Sequence, residues 1–96
     1  MRQAYVVSYD ISNPKRLRKV YKLMRGYGDH VQFSVFRCEL NKRELVELRG
    51  KIRALINAAE DQIMFVDIGP AEGRGANCIT TLGKPFLYLE RYALVV

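Results

Sequence analysis

The sequence predicts an α+β domain in which two helices cover one face of a β-sheet. Two segments repeat apolar residues at the three- and four-residue spacing of a helix, and three others have the apolar, β-branched and aromatic character of strands. The two kinds of segment alternate along the chain. Because 96 residues leave room for one hydrophobic core, we expect a single domain over residues 1–96.

The first strand and the start of the first helix are predicted from local composition. Residues 4–10, AYVVSYD, are β-branched, aromatic and apolar, as in a largely buried strand. Ser12 or Asn13 is the expected N-cap of the helix that follows. Pro14 suits the first helical position, where its missing N–H costs nothing.

The first helix is expected to run from Pro14 to about Tyr27, with Gly28 as the C′ residue because glycine tolerates a left-handed backbone. Its two faces differ in character. The face expected to be buried carries Leu17, Val20, Tyr21 and Met24. The opposite face carries Lys15, Arg18, Lys19, Lys22 and Arg25, with Arg16 near the N-terminus.

The next segment changes its strand phase. In residues 31–40 the apolar positions alternate with one parity up to Val35 and with the other parity from Phe36. An unbroken strand would expose half of its apolar residues to water, so a bulge or a bend is required. Either one kinked strand or two short strands satisfies this pattern.

A second amphipathic helix begins after Asn41. Asn41 is its expected N-cap, and Glu44 stands three residues later, as in a capping box. Its apolar stripe contains Leu45, Leu48, Ile52, Leu55, Ile56 and Ala59. Gly50 weakens this helix by about 1 kcal/mol relative to alanine.

The C-terminal part contains a further strand, a loop and an apolar tail. Residues 62–68 are predicted as a strand, and 69–77 as a flexible surface loop, because their glycines match neither dinucleotide-binding nor P-loop spacing. The tail adds one or two strands around residues 83–85. The order fits a ferredoxin-like β-α-β-β-α-β sandwich with an extra C-terminal strand.

The positive charge is concentrated in the first half of the chain. The net charge is +6, and residues 1–43 contain ten Lys and Arg residues against three Asp and Glu residues. Such a field suits phosphates or another anionic surface. The alternative is a solvated basic face that only aids solubility.

Several classes of protein are excluded by composition. No apolar run approaches the roughly 18 residues of a membrane span, and the N-terminus is no signal peptide. Cys38 and Cys78 are expected as free thiols in a reducing cytosol, and with one histidine they cannot build a structural zinc site. We therefore expect a cytoplasmic protein without a membrane partner.

A few residues are candidates for chemistry. Asp10, at the end of the first strand, is either a turn former or a ligand for a hard metal such as Mg²⁺. A hydrogen-bonded surface role is favoured for Asp67, and a turn position over a general base for His30. Sheet packing is the favoured role of Tyr5 and Tyr9.

Three motifs resemble one known family. They are Tyr9-Asp10-Ile11 at a strand end, a basic helix that starts at Lys15-Arg16 and closes at Tyr27-Gly28, and Val31-Gln32-x-Ser34-Val35-Phe36. In combination they resemble the N-terminal half of the small CRISPR-associated endoribonuclease family, the second of the two adaptation proteins. Asn13-Pro14 stand where relatives often have acidic residues.

The resemblance implies a homodimer in which the C-terminal segment, about 86–96, pairs with the partner's sheet. It implies that Asp10 from each subunit meets at the interface, binds Mg²⁺ and is the catalytic residue of phosphodiester cleavage in single-stranded RNA or double-stranded DNA. CRISPR integrase subunits are the implied partners.

The residues and the resemblance agree on a nucleic-acid-binding surface, for which we expect Arg16, Arg18, Lys19 and Lys22 to contact phosphates. Two alternatives remain open at this point. One is a catalytically inactive DNA-binding scaffold of the integration complex, and the other is a ferredoxin-like toxin that cleaves RNA.

Overall fold

The chain folds as a four-stranded antiparallel sheet with two helices packed on one face. The computed structural model describes residues 1–76 and 78–84. Its elements are β1 (Gln3–Asp10), α1 (Pro14–Arg25), β2 (Gly28–Gln32), β3 (Val35–Leu40), α2 (Lys42–Leu55) and β4 (Gln62–Pro70), followed by a 3₁₀ turn (Arg74–Ala76).

The sheet order is β2-β3-β1-β4, with both helices as crossovers. The predicted ferredoxin-like α+β fold is confirmed. The extra C-terminal strand and the segment 86–96 lie outside the described residues. In the part of the chain that the structure describes, no helix has both the length and the apolar character of a membrane span.

The core lies between the helices and one face of the sheet. Val7 and Tyr9 of β1 point to this face and pack with Phe36 of β3. The predicted helical stripes meet them there, with Val20 and Met24 from α1 and Leu48 and Ile52 from α2 all buried. The apolar residues of the two helices thus serve the packing that their spacing predicted.

The first helix begins as expected and ends earlier. The Asn13 side chain accepts a hydrogen bond of 3.0 Å from the Arg16 backbone N–H, so Asn13 is the N-cap. The helix ends at Arg25 with Gly26 as C-cap. The prediction that Gly28 is the C′ residue was wrong, because Gly28 lies in β2.

Gly28 serves a close approach between strands. A Cβ atom at this position would lie 2.5 Å from both the Arg37 carbonyl oxygen and the Cys38 Sγ. Glycine therefore lets β2 pair with β3 here without a shift of either strand.

Residues 28–40 form a hairpin, which resolves the phase change in the sequence. β2 and β3 are two short strands joined by a turn at Phe33 and Ser34, and their register shifts between His30 and Gln32. Phe33 at the turn is 81% exposed.

The second helix carries the predicted capping box. Glu44 N–H donates to Asn41 Oδ1 at 2.8 Å, and Asn41 N–H donates to Glu44 Oε1 at 2.9 Å. The helix ends at Leu55, so the expectation that Ala59 continues its buried stripe was wrong. Ala59 is exposed in the turn that leads to β4.

The segment after β4 is pinned to the sheet, in contrast to the flexible loop that its glycines predicted. Arg37 Nη2 donates to the Gly75 carbonyl at 2.7 Å in a buried hydrogen bond, and Ala71 N–H donates to the Arg2 carbonyl at 3.0 Å. A Cβ atom at Gly75 would lie 2.6 Å from Ala4 Cβ. The 3₁₀ turn therefore covers the start of β1.

Candidate metal ligand and nucleic-acid interface

Asp10 lies exposed at the end of β1, between two neighbouring strands. On one side it pairs with Gln62 of β4. On the other side the Tyr9 backbone N–H donates to the Ser34 carbonyl at 3.1 Å, which ties the β2–β3 turn to the same edge. No described residue forms a hydrogen bond or an ion pair with the Asp10 carboxylate. Its oxygens are therefore free to bind a ligand from solution.

The donor set at Asp10 fits half of a magnesium site. Within residues 1–76 and 78–84, no three His, Cys, Asp or Glu side chains group to hold a metal ion. Mg²⁺ keeps several waters and takes one or two protein carboxylates. One carboxylate from each of two chains would meet that requirement.

A basic face follows Asp10 along the chain. Lys15, Arg18, Lys19 and Lys22 are exposed on α1, and none of them forms an ion pair with another described residue. Arg25 lies over the Tyr21 ring at 5.8 Å. The four lysine and arginine side chains are available for phosphate oxygens.

Arg16 differs from the other cations of α1. Its Nε donates to Asp61 Oδ2 at 2.8 Å and its Nη2 to Glu60 Oε1 at 2.9 Å. The guanidinium, together with the Asn57 backbone N–H, holds the pKa of the Asp61 carboxyl below its usual range. Arg16 is thus already paired, and its predicted contact with nucleic acid stays a prediction.

The remaining candidates have structural roles. Asp67 accepts hydrogen bonds from Gln3 Nε2 at 3.1 Å and from the Gly69 N–H at 2.9 Å, which confirms its hydrogen-bonded interpretation. His30 lies in β2 instead of the expected turn, and its ring packs against Tyr21 and Phe36.

The tyrosines of β1 pack against the sheet and helices as predicted. Tyr9 is buried and Tyr5 is half-buried against the core. Burial, with a smaller contribution from Tyr21, raises the pKa of Tyr9 to about 12. Its phenol therefore stays protonated at neutral pH and is unsuited to act as a base beside Asp10.

Sequence reasoning missed Asp61. This residue follows the expected end of α2 and is separated from Arg16 by 45 positions, so no local spacing links the two. The adjacent acidic residues Glu60 and Asp61 directly before a strand were the only signal in the sequence.

The fold and the site define a class: a ferredoxin-like α+β protein with an exposed strand-end carboxylate beside an unpaired basic helix face. The family model described as "CRISPR associated protein Cas2" matches residues 3–73, and the chain belongs to that family.

Two curated relatives match nearly the whole chain. A protein of Rhodospirillum rubrum named "CRISPR-associated endoribonuclease Cas2 1" is 43% identical over 97% of this chain and 90% of its own length. The Geobacter sulfurreducens "CRISPR-associated endoribonuclease Cas2" is 38% identical over the full length of both. The crystal structure of Streptococcus pyogenes Cas2 superposes with a TM-score of 0.73 and 34% identity over 83% of this chain and 99% of that one.

Proposed function

We propose that this protein is a magnesium-dependent endonuclease of CRISPR adaptation, which cleaves phosphodiester bonds and takes part in the spacer-integration complex. The observation that carries the proposal is the free Asp10 carboxylate at the end of β1, with the unpaired basic face of α1 directly after it. The relatives are named as endoribonucleases, which supports phosphodiester cleavage by this chain.

In this proposal, one residue of the site binds the metal and the others bind the substrate. Bound Mg²⁺ would supply activation of water and neutralisation of phosphate charge. The Asp10 carboxylate would hold the ion at the edge of the sheet. Arg18, Lys19 and Lys22 would bind phosphates on either side of the scissile bond through charge-assisted hydrogen bonds. Because phosphates carry no base information, we expect weak sequence specificity for RNA or DNA.

A homodimer would complete the metal site, because each chain contributes one carboxylate. The sheet face opposite the helices carries apolar side chains that the described residues leave partly open, with Met64 52% and Val66 40% exposed. Val6 pairs with Val66 and lies on the same face. We propose that this face and residues 86–96 contact the partner chain and bring the two Asp10 residues together.

Integrase subunits are the proposed protein partners, as expected for a member of this family that works in adaptation. A catalytically inactive scaffold is the second candidate function. The free cations of α1 favour it, because they bind a phosphate backbone without any need for turnover.

The test of the proposal compares Asp10→Asn with wild type. We expect Asp10→Asn to lower the rate at least about a hundredfold on single-stranded RNA and duplex DNA with Mg²⁺, because an amide is a poor ligand for this ion. Asp67→Asn, an exposed carboxylate elsewhere on the sheet edge, serves as the matched control and should cleave normally.

Two outcomes separate the candidates. Cleavage by Asp10→Asn at the wild-type rate would place the activity elsewhere. Wild-type protein that binds nucleic acid in EDTA and shows no cleavage with any added metal would establish the scaffold. Circular dichroism and sedimentation of both variants show whether fold and assembly are retained.

A further inference from the structure

We propose that Arg16 and Asp61 act as a positioning pair that holds the Asp10 end of β1 in place, and that Arg16 is not a phosphate ligand. This inference rests on the proposed function of Asp10 as the metal ligand. It assigns to Asp61 a role in the reaction, although its own carboxylate is buried and does not touch substrate.

The Asp61 carboxylate is fully occupied. Its side chain is inaccessible to solvent and accepts hydrogen bonds from Arg16 Nε at 2.8 Å, Arg16 Nη2 at 3.2 Å and the Asn57 backbone N–H at 2.8 Å. If Arg16 turned away to meet a phosphate, a buried carboxylate would lose its cation. Such uncompensated buried charge is strongly unfavourable.

The local charge also argues against a phosphate ligand at Arg16. Its Nη2 is shared between Asp61 and Glu60, so two carboxylates surround one guanidinium. The net charge of this trio is negative. Phosphate would meet a more favourable field at Arg18 and Lys19, which have no carboxylate partner among the described residues.

The pair closes a ring around Asp10. Asp61 directly precedes Gln62, the cross-strand partner of Asp10. Arg16 lies in the first turn of α1, which follows Asp10 after three residues, and its backbone N–H binds the Asn13 cap. The ion pair therefore joins the start of α1, which follows Asp10 in the chain, to the start of β4, which lies beside Asp10 in the sheet. Breaking it would let the carboxylate move, and a displacement of about 1 Å costs up to a hundredfold in rate.

The experiment compares Arg16→Lys, Arg16→Gln, Asp61→Asn and the double variant Arg16→Gln/Asp61→Asn. We expect each single variant to lower kcat about ten- to a hundredfold with KM and the salt dependence of binding unchanged. The double variant should be no slower than either single one, because both remove the same link. Arg16→Lys best distinguishes the two roles, because lysine keeps the positive charge that a phosphate needs but loses the planar guanidinium that donates to both oxygens of Asp61.

Two controls separate positioning from binding and from general destabilisation. Arg18→Gln should reduce the slope of log K against log salt by about 0.7 to 0.9 for each phosphate contact that is lost, one from each chain of the proposed dimer. Arg2→Gln breaks an exposed ion pair with Glu44 at the opposite end of β1 and should keep the wild-type kcat.

The proposal is overturned if Arg16→Lys retains the wild-type kcat. It is also overturned if Arg16→Gln reduces the salt slope as much as Arg18→Gln does, or if Arg2→Gln lowers kcat as much as Arg16→Gln does.

Cleavage that does not depend on Asp10 would refute the proposed function itself. In that case the positioning pair is tested by a measurement that does not require cleavage. Amide hydrogen exchange of residues 10–13 should then be faster in Arg16→Gln and Asp61→Asn than in wild type or Arg2→Gln. Equal exchange rates in all four proteins would show that the Arg16–Asp61 pair does not stabilise residues 10–13.

Discussion

An added Cβ atom would have opposite effects on stability at Gly28 and at Gly50. At Gly28 an added Cβ would lie 2.5 Å from the Arg37 carbonyl oxygen and the Cys38 Sγ, whereas at Gly50, exposed on α2, it would meet nothing within 4 Å. We expect Gly28→Ala to lower the free energy of unfolding by about 1–3 kcal/mol through overpacking. Gly50→Ala should raise it by about 0.5–1 kcal/mol because alanine is the better helix former. Urea denaturation measures both, and a Gly28→Ala protein as stable as wild type would show that β2 shifts freely.

Asp61 predicts part of the acid sensitivity of the fold. Hydrogen bonds from Arg16, and then from the Asn57 N–H, lower its pKa in the folded chain. A lowered folded pKa contributes stability above the unfolded value of about 3.9, and this contribution is lost as pH falls through the folded pKa. Wild type should therefore lose more stability between pH 5 and about pH 2 than Asp61→Asn. Urea midpoints over that range test this, and two parallel curves would contradict it.

At the scale of elements, α1 and α2 concentrate the positive charge on one side of the sheet. The two helices carry eleven of the sixteen Lys and Arg residues and only two of the ten Asp and Glu residues. On α2, Lys51 lies near Glu47 and over the Tyr27 ring, and Arg49 lies over the Phe65 ring. The unpaired basic face of α1 is therefore the better candidate for phosphates.

The basic face of α1 predicts a salt dependence. Four to six neutralised phosphates in a dimer correspond to a slope of log K against log salt of roughly −4 to −5 on duplex DNA. Replacing Arg18, Lys19 and Lys22 by alanine should flatten that slope without changing sequence preference, and stability should hardly change. Fluorescence anisotropy from low to high salt measures it.

The matched control for this face is Lys42→Ala/Arg43→Ala at the start of α2, which we expect to leave the slope nearly unchanged. A slope unaffected by the α1 substitutions and reduced by the α2 substitutions would move the nucleic-acid path to α2. Arg37 is buried and hydrogen-bonded to Gly75 and Glu39, so it is not a candidate for phosphate contact.

At the scale of the whole molecule, assembly is the proposed condition for activity. The proposed second copy would bring another Asp10 carboxylate to the metal and cover the open apolar sheet face. Residues 86–96, outside the described part of the chain, are proposed to pair with the partner's sheet.

Truncation tests this assembly. Removal of residues 92–96 should yield a monomer or an aggregate, and the variant should lose magnesium-dependent cleavage because the two Asp10 residues no longer meet. Sedimentation velocity of the truncated and full-length proteins measures the oligomeric state. A truncated chain that remains a stable dimer would remove the C-terminal segment from the interface.

The sequence by itself determined the elements and the face that carries the charge. The strand ending at Asp10, the capping box of Asn41 and Glu44, and the basic face of α1 appear as predicted, and the N-cap of α1 is Asn13, one of the two residues expected there. Each depends on residues within about four positions of one another, because helix periodicity, capping and strand alternation are local interactions. Asp10 could be singled out for the same reason, as the last residue of a recognisable strand.

Only the tertiary structure decided the partners of the long polar side chains. Arg16 is one of several cations on α1, yet it binds Asp61 across 45 positions because β4 returns beside β1. Arg37 finds the Gly75 carbonyl, and Gly28 meets Cys38, through the same kind of return. Such contacts depend on how distant elements pack, and packing follows from the sum of many weak interactions that no short segment of sequence contains.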